Sequence, residues 1–256
     1  MAVSITGPMP LLSGCHLWLI AFDQKPSIHP CFDEQDLQAA KLSSEDRERF
    51  NRYRPLEKKR QFLNSRLAVR LVLERQFGQA ATDLTLRSSP SGQPKIFDAS
   101  DREFCSVSLS HSRSLVAIVI SMNSGSVGVD IEVHQPLDSR KFQHVATTDE
   151  ELSWIESQGE KNNEAFLAIW TIKEAVWKAQ ASSEIAVSDI CIDCSGKDLS
   201  PRFARGGFES NRWRIQPFSS DSEAFLPDRM LVTGLPSVEF RFTGCVCECI
   251  ESESKQ

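Results

Sequence analysis

A single stretch near the middle of the second half constrains this chain most. From about Asn163 to Gln180 the pattern is helical, and Phe166, Leu167, Ile169, Trp170, Ile172, Val176 and Trp177 make most of the helix circumference apolar. Such a helix must be largely buried, yet it also carries Lys173, Glu174 and Lys178. A buried charge without a counter-charge, a metal or a ligand is costly, so whatever packs against this helix has to supply partners. Glu174 and Lys178 stand four residues apart and so share one flank, where an intrahelical pair is the plainest alternative.

A second motif offers such partners. In Gly128-Val129-Asp130-Ile131-Glu132 the alternation of a strand sends Asp130 and Glu132 to one face, about 7 Å apart, and Val129, Ile131 and Val133 into the opposite, apolar layer. Taken alone, a D-x-E reads as a solvated sheet face. Two strand carboxylates with one helix carboxylate, Glu174, would instead form a hard all-oxygen site of the kind that suits Mg²⁺ shared with substrate phosphates. Ser108-Leu109-Ser110-His111-Ser112, just ahead of the run Leu115 to Ile120, adds donors for a pyrophosphate. By itself His111 reads as a loop histidine.

Around these motifs the chain alternates. Leu17 to Phe22 is a short apolar run that reads as a buried strand, followed by a Pro- and His-containing loop. A helical pattern starts near Ser43 with Ser44 as N-cap, is broken by Pro55, and resumes from about Leu56 to Phe77 before Gly78. The turn formers of Ser88 to Pro94 then introduce strands. Leu115 to Ile120 and Val127 to Val133, separated by Asn123-Ser124-Gly125-Ser126, predict an antiparallel hairpin. Beyond the helix, short strands alternate with Pro, Gly and Ser up to a polar tail at Glu251 to Gln256. The order strand, helices, strands, helices, strands is an α+β pattern occurring about twice.

Charge and cysteines narrow the classes. A net charge of −6 argues against a nucleic-acid partner. The basic residues Arg47, Arg49, Arg52, Arg54, Lys58, Lys59, Arg60, Arg66 and Arg70 either coat a solvated helix face or hold a small polyanion. No apolar stretch is long enough to span a membrane, and no export signal opens the chain, so a cytoplasmic protein is expected. Eight cysteines then point neither to disulfides nor to zinc. One C-x-x-C, Cys191 to Cys194, lacks a second spaced pair, and Cys245, Cys247 and Cys249 repeat a strand's period of two.

In their order and spacing, S-H-S, then G-V-D-I-E, then Trp170-Thr171-Ile172-Lys173-Glu174-Ala175-Val176-Trp177-Lys178-Ala179 resemble the 4′-phosphopantetheinyl transferases of the two-lobed, surfactin-synthetase-activating (Sfp) type. The similarity runs loosely from about Leu17 to about Pro236. It implies two similar α+β lobes packed around a cleft, residues 1–122 carrying nucleotide and coenzyme A contacts and 123–256 the magnesium site and carrier contacts. It implies transfer of phosphopantetheine from coenzyme A to a serine of an apo acyl or peptidyl carrier protein, by a monomer. Asp130, Glu132 and Glu174 match the family's magnesium carboxylates, and Lys178 the lysine near the scissile pyrophosphate. Ser110 and His111 match its phosphate contacts, and Arg49, Arg87 and Lys173 fall among its coenzyme-binding positions. Glu151 matches an acidic residue that helps activate the acceptor serine, and either Glu174 or Glu151 would take the serine proton. The chain departs from the family at Val107-Ser108 where F-N is frequent, at Gln93 where a lysine precedes proline, and at Ala181-Ser182-Ser183 in place of G-x-G. A carrier-binding module without activity and a Mg²⁺-dependent nucleotide pyrophosphate hydrolase are the competing readings.

Overall fold

The computed structural model describes residues 3–12, 14–22, 42–88, 93–122, 126–134, 147–180, 184–195, 199–203, 213–220, 230–231 and 241–249. The expected loop after Asp23, the turns at 89–92 and 123–125, the segment 181–183 and the polar tail lie outside the described residues.

In chain order the elements are β1 (Val3–Pro10), β2 (Cys15–Phe22), α1 (Ser44–Arg52), α2 (Leu56–Phe77), β3 (Thr85–Ser88), β4 (Pro94–Phe97), β5 (Glu103–Ser112), β6 (Leu115–Ser121), β7 (Val127–Val133), α3 (Asp149–Ser157), α4 (Asn162–Gln180), β8 (Ile190–Asp193), β9 (Ser200–Phe203), β10 (Trp213–Ser219), β11 (Met230–Leu231) and β12 (Phe242–Cys249). The α+β expectation holds. Six strands form one antiparallel sheet in the order β1-β2-β6-β5-β4-β3, a second sheet runs β11-β10-β12-β7, and β8-β9 is a separate ribbon.

Strand alternation turns these sheets into layers. Trp18, Ile20, Phe22, Val116, Ile118 and Ile120 face Ala68, Val69, Val72 and Leu73 of α2, while Leu17, Leu19, Leu115, Ala117 and Val119 face the second sheet. There they meet Val127, Val129, Ile131, Val133 and Val246. The far face of the second sheet presents Cys245 and Cys247 to Ile169, Ile172 and Val176 of α4. The sequence of layers is therefore α2, first sheet, second sheet, α4. Each fully buried Val, Leu or Ile contributes about 1.5–3 kcal/mol over an exposed one.

Four local readings change. The expected hairpin between β6 and β7 does not form. β6 pairs with β2 and β5 on its two edges, and β7 pairs with β12 in the other sheet, because both strands have apolar faces that stack as layers and do not meet edge to edge. Ser43, not Ser44, caps α1, its side chain accepting from the Asp46 amide. His111 and its serines lie within β5 instead of a loop. Strand β1 escapes the sequence pattern because Gly7, Pro8 and Pro10 interrupt it, and its register with β2 slips between Thr6 and Met9.

The basic stretch also resolves. Arg66 makes a bidentate pair with Asp46 at 2.7 and 2.8 Å, both buried, and Arg70 donates to the Ala81 carbonyl at 2.7 Å and to Glu74 at 2.9 Å. These two arginines tie α2 to α1 and to the 3-10 turn Gly78–Asp83, so they belong neither to a wet face nor to a polyanion site. No disulfide joins any of the seven described cysteines. No described helix is long and apolar enough to cross a membrane.

Candidate active site

Gly128 decides how closely α4 can approach β7. A Cβ there would stand 1.9 Å from the Ala175 carbonyl oxygen and 2.7 Å from the Ala179 nitrogen, so only glycine lets the helix backbone lie directly on the strand. That approach brings the flank of α4 bearing Glu174 and Lys178 against the strand face bearing Asp130 and Glu132. Lys178 Nζ donates to Asp130 Oδ1 at 2.6 Å, to Ser110 Oγ at 3.1 Å and to the Val129 carbonyl at 3.3 Å, and lies 3.8 Å from Glu174 Oε2. An ammonium has three protons, and these contacts use them all.

Ser110 links this cluster to the first sheet. Its hydroxyl oxygen accepts a hydrogen bond from Lys178, so the hydroxyl donates its own hydrogen to Asp130 Oδ1 at 2.6 Å. Asp130 Oδ1 thereby accepts twice. Its other oxygen, Oδ2, is buried with no hydrogen-bond partner among the described residues. Such an orphan is costly unless something binds it.

The electrostatics have the same one-sided character. Burial, and then the neighbouring Asp130 charge, push the Glu132 carboxyl up to about 7. Glu174 is also raised, by burial first and by Asp130, against the lowering pull of Lys178. Carboxylates that resist ionising, first because they are buried and then because another carboxylate stands close, are the donor set a divalent cation would relieve. The chemistry of the residues and the orphaned oxygen fit Mg²⁺. Among the described residues, however, no three His, Cys, Asp or Glu side chains are gathered closely enough to hold a metal ion as they stand, and the Lys178 ammonium sits on Asp130. His111 lies on the other face of β5, where its pair Val116 packs toward α2, and its imidazole is held below the usual value by desolvation and by the charges of Lys178 and Lys58.

Asp130, Glu132, Glu174, Lys178 and Ser110 thus come together, whereas the strand alternation of β5 turns His111 to the face toward α2. The other expected site residues do not join them. Lys173 is fully buried and pairs with Glu151 at 2.7 Å. Glu151 spends Oε2 on Lys173 and on the Thr148 amide, and Oε1 on the Ile192 amide at 2.6 Å. With both oxygens used and no exposure, it joins α3, α4 and β8 and offers no oxygen to a serine hydroxyl. Arg49, exposed on α1, donates to Tyr53 at 3.1 Å and lies over the Phe62 ring. Arg87, exposed on β3, pairs with Asp101 and covers Phe97. Through the register Arg87↔Lys95 and Lys95↔Ser106, it shares a sheet face with the serines of β5.

From sequence, Ser108 and Ser112 count only among donors for a pyrophosphate and Gln93 has no contact, whereas in the structure each of the three meets β7 or α4. Ser108 Oγ accepts from the Val129 amide at 3.1 Å, and Ser112 Oγ accepts from the Val133 amide at 3.0 Å while donating to Glu132 at 2.9 Å. Their signal was present, serine at every second position from Ser106 to Ser112, the period of a strand. Gln93 donates to the Lys178 carbonyl and so reaches the end of α4.

Comparison with known proteins bears on the same residues. Residues 126–226 match the model of the 4′-phosphopantetheinyl transferase superfamily, a stretch that includes Asp130, Glu132, Glu174 and Lys178. A putative 4′-phosphopantetheinyl transferase of Synechocystis sp. is 32% identical over 160 residues, 60% of this chain and 64% of that protein. The 4′-phosphopantetheinyl transferase HetI of Nostoc sp. is 29% identical over 179 residues, 68% of this chain and 72% of the relative. Sfp of Bacillus subtilis is 25% identical over 139 residues, 54% of this chain and 60% of the relative. The chain spans less than two thirds of the Synechocystis and Bacillus proteins it matches. The ordered motifs that converge around Asp130 thus fall within a stretch, residues 126–226, that is similar to the 4′-phosphopantetheinyl transferase superfamily.

Proposed function

We propose that this chain transfers the 4′-phosphopantetheine arm of coenzyme A to a serine of an apo acyl or peptidyl carrier protein, releasing adenosine 3′,5′-bisphosphate, in the manner of the Sfp-type enzymes. The observation that carries the reading is the knot of Lys178, Ser110 and Asp130, with Asp130 Oδ2 left over beside two carboxylates whose protons are held too tightly. Asp130, Glu132 and Glu174 would hold Mg²⁺. When bound, the ion supplies charge neutralisation on the pyrophosphate.

The chain's own residues account for the remaining chemistry. The carrier serine oxygen attacks the β-phosphorus as the bond from that phosphorus to the bridging oxygen of the bisphosphate breaks. Glu174, raised in pKa and reachable from solvent, takes the serine proton. Lys178, held by Ser110, gives charge or a proton to the departing phosphate. His111, its pKa lowered toward the neutral form, donates an N–H to a phosphate oxygen. Arg87, on the face it shares with the serines, and Arg49 take the nucleotide end. Lys173 and Glu151 hold the frame from which Glu174 projects.

Two sheets, each backed by one long helix, support a reading as duplicated lobes, residues 1–122 for the nucleotide and 123–256 for magnesium and the carrier. Incubation with coenzyme A, Mg²⁺ and a panel of apo carriers, followed by mass measurement, tests the proposal. A gain of one phosphopantetheine on a subset of carriers is expected. Coenzyme A cleaved with every carrier unmodified would instead mark a hydrolase, and carrier bound but neither molecule changed would mark a binding module.

A further inference from the structure

Strand β7 ends the second sheet, with β12 on one side. An edge strand carrying two ligands of a cation has a problem of register, since nothing in a main-chain ladder fixes its free side. Here the free side faces β5 of the other sheet. The side chains of Ser108, Ser110 and Ser112 meet, in turn, the Val129 amide, the Asp130 carboxylate, and the Glu132 carboxylate with the Val133 amide.

The offset in residue number stays at 20 or 21 along the whole seam, so β5 and β7 run in the same direction at the same rise. Two main-chain donors four residues apart are each met by a hydroxyl from residues four apart. The direction of each bond is also set. Ser112 Oγ accepts the Val133 proton, and the hydroxyl directs its own proton to Glu132 Oε2. The hydroxyl that anchors the backbone therefore also aims the carboxylate. Among the described residues β4 pairs with β5 only as far as Ser106, while β6 runs along the whole stretch bearing these serines.

We infer that Ser108 and Ser112 are positioning residues: their hydroxyls replace a strand ladder along the free edge of β7 and hold Asp130 and Glu132 at the height where α4 presents Glu174 and Lys178. This rests on the metal reading of the carboxylates given above. It extends that reading to two side chains that need not touch the substrate. Alanine at either position would leave a strand amide without its acceptor and let the edge shift, and at Ser112 it would also release Glu132.

The test uses the full chain with Mg²⁺ alone, by titration calorimetry, together with amide hydrogen exchange followed by NMR. Ser112→Ala is expected to weaken Mg²⁺ binding about tenfold and to speed exchange of the Val133 amide about tenfold. The Ile118 amide, deep in the first sheet, keeps its rate in that variant. Ser112→Thr, which keeps the hydroxyl, restores both quantities. Ser108→Ala speeds the Val129 amide in the same way. Unaltered Mg²⁺ affinity in Ser112→Ala overturns the inference whatever the amides do, and so does weakened affinity with unaltered Val133 exchange. Failure of the transfer reading looks different, because then the unaltered chain modifies no carrier while the exchange comparison still reports on the seam.

Discussion

Two lysines on α4, five residues apart, face environments of opposite kind. Five helical steps turn about 140°, so Lys173 and Lys178 project from nearly opposite sides of one helix. Lys173 meets a carboxylate, Glu151, whose two oxygens are both filled, by the ammonium and by the amides of Thr148 and Ile192, with no exposure on either partner. Lys178 meets a carboxylate, Asp130, with one oxygen accepting twice and the other accepting nothing. Both are charge pairs in a protein interior. The difference is spare capacity: a saturated pair can only hold the fold, whereas an unsaturated one next to carboxylates of raised pKa retains the ability to bind something else.

The comparison breaks most readily on its structural side. Lys173→Met removes a cation from a sealed site and strands the Glu151 charge, and breaking such a pair costs about 3–5 kcal/mol. Urea unfolding followed by circular dichroism should show that loss, and a cost below about 1 kcal/mol would mean that Glu151 is not the saturated anchor its contacts describe. On the functional side, Asp130→Ala is expected to lower the rate of metal-dependent transfer roughly 10²- to 10³-fold, with a smaller shift in unfolding than Lys173→Met. Full transfer in that variant would remove Asp130 from the site.

Much of this distinction lay outside what local sequence can reveal. The period of two in Val129 to Val133 and the apolar girth of Phe166 to Trp177 are properties of single elements, so the carboxylate face and the buried helix were both legible. Which of two buried charges is saturated depends on the Ile192 amide, 41 residues from Glu151, and no periodicity reports that. The Thr148-x-x-Glu151 capping box was a readable sign that Glu151 serves a helix start, and it competes directly with the family-based role in activating a serine. The hairpin between β6 and β7 failed for a related reason: adjacency in sequence says that two strands are close but not whether they meet by edge or by face.

The contact that brings the two regions onto one helix can be altered in its turn. Gly128→Ala places a methyl group into the Ala175 carbonyl, and overpacking of this kind costs about 1–3 kcal/mol. Because the helix must back away from β7, Glu174 and Lys178 withdraw from Asp130 while Lys173 keeps Glu151 on its other side. Transfer measured per folded molecule should therefore fall well beyond what the stability change explains. Equal losses in the two would show that α4 moves as part of the whole core.

The smallest expected effect on the fold comes from Arg87. Its pair with Asp101 is largely exposed, 45% and 72% for the two side chains, and exposed pairs contribute less than about 1 kcal/mol. Arg87→Ala should leave unfolding nearly unchanged. If the guanidinium instead contacts the nucleotide end of coenzyme A, KM for coenzyme A rises about tenfold with kcat preserved, the pattern of binding lost equally from ground and transition states. Coenzyme A lacking its 3′-phosphate sharpens the assignment, since the substitution should then matter little if that phosphate is the group held. An unchanged KM for the complete coenzyme would return Arg87 to the structural side of the comparison, as a residue whose spare protons face only solvent and the Phe97 ring.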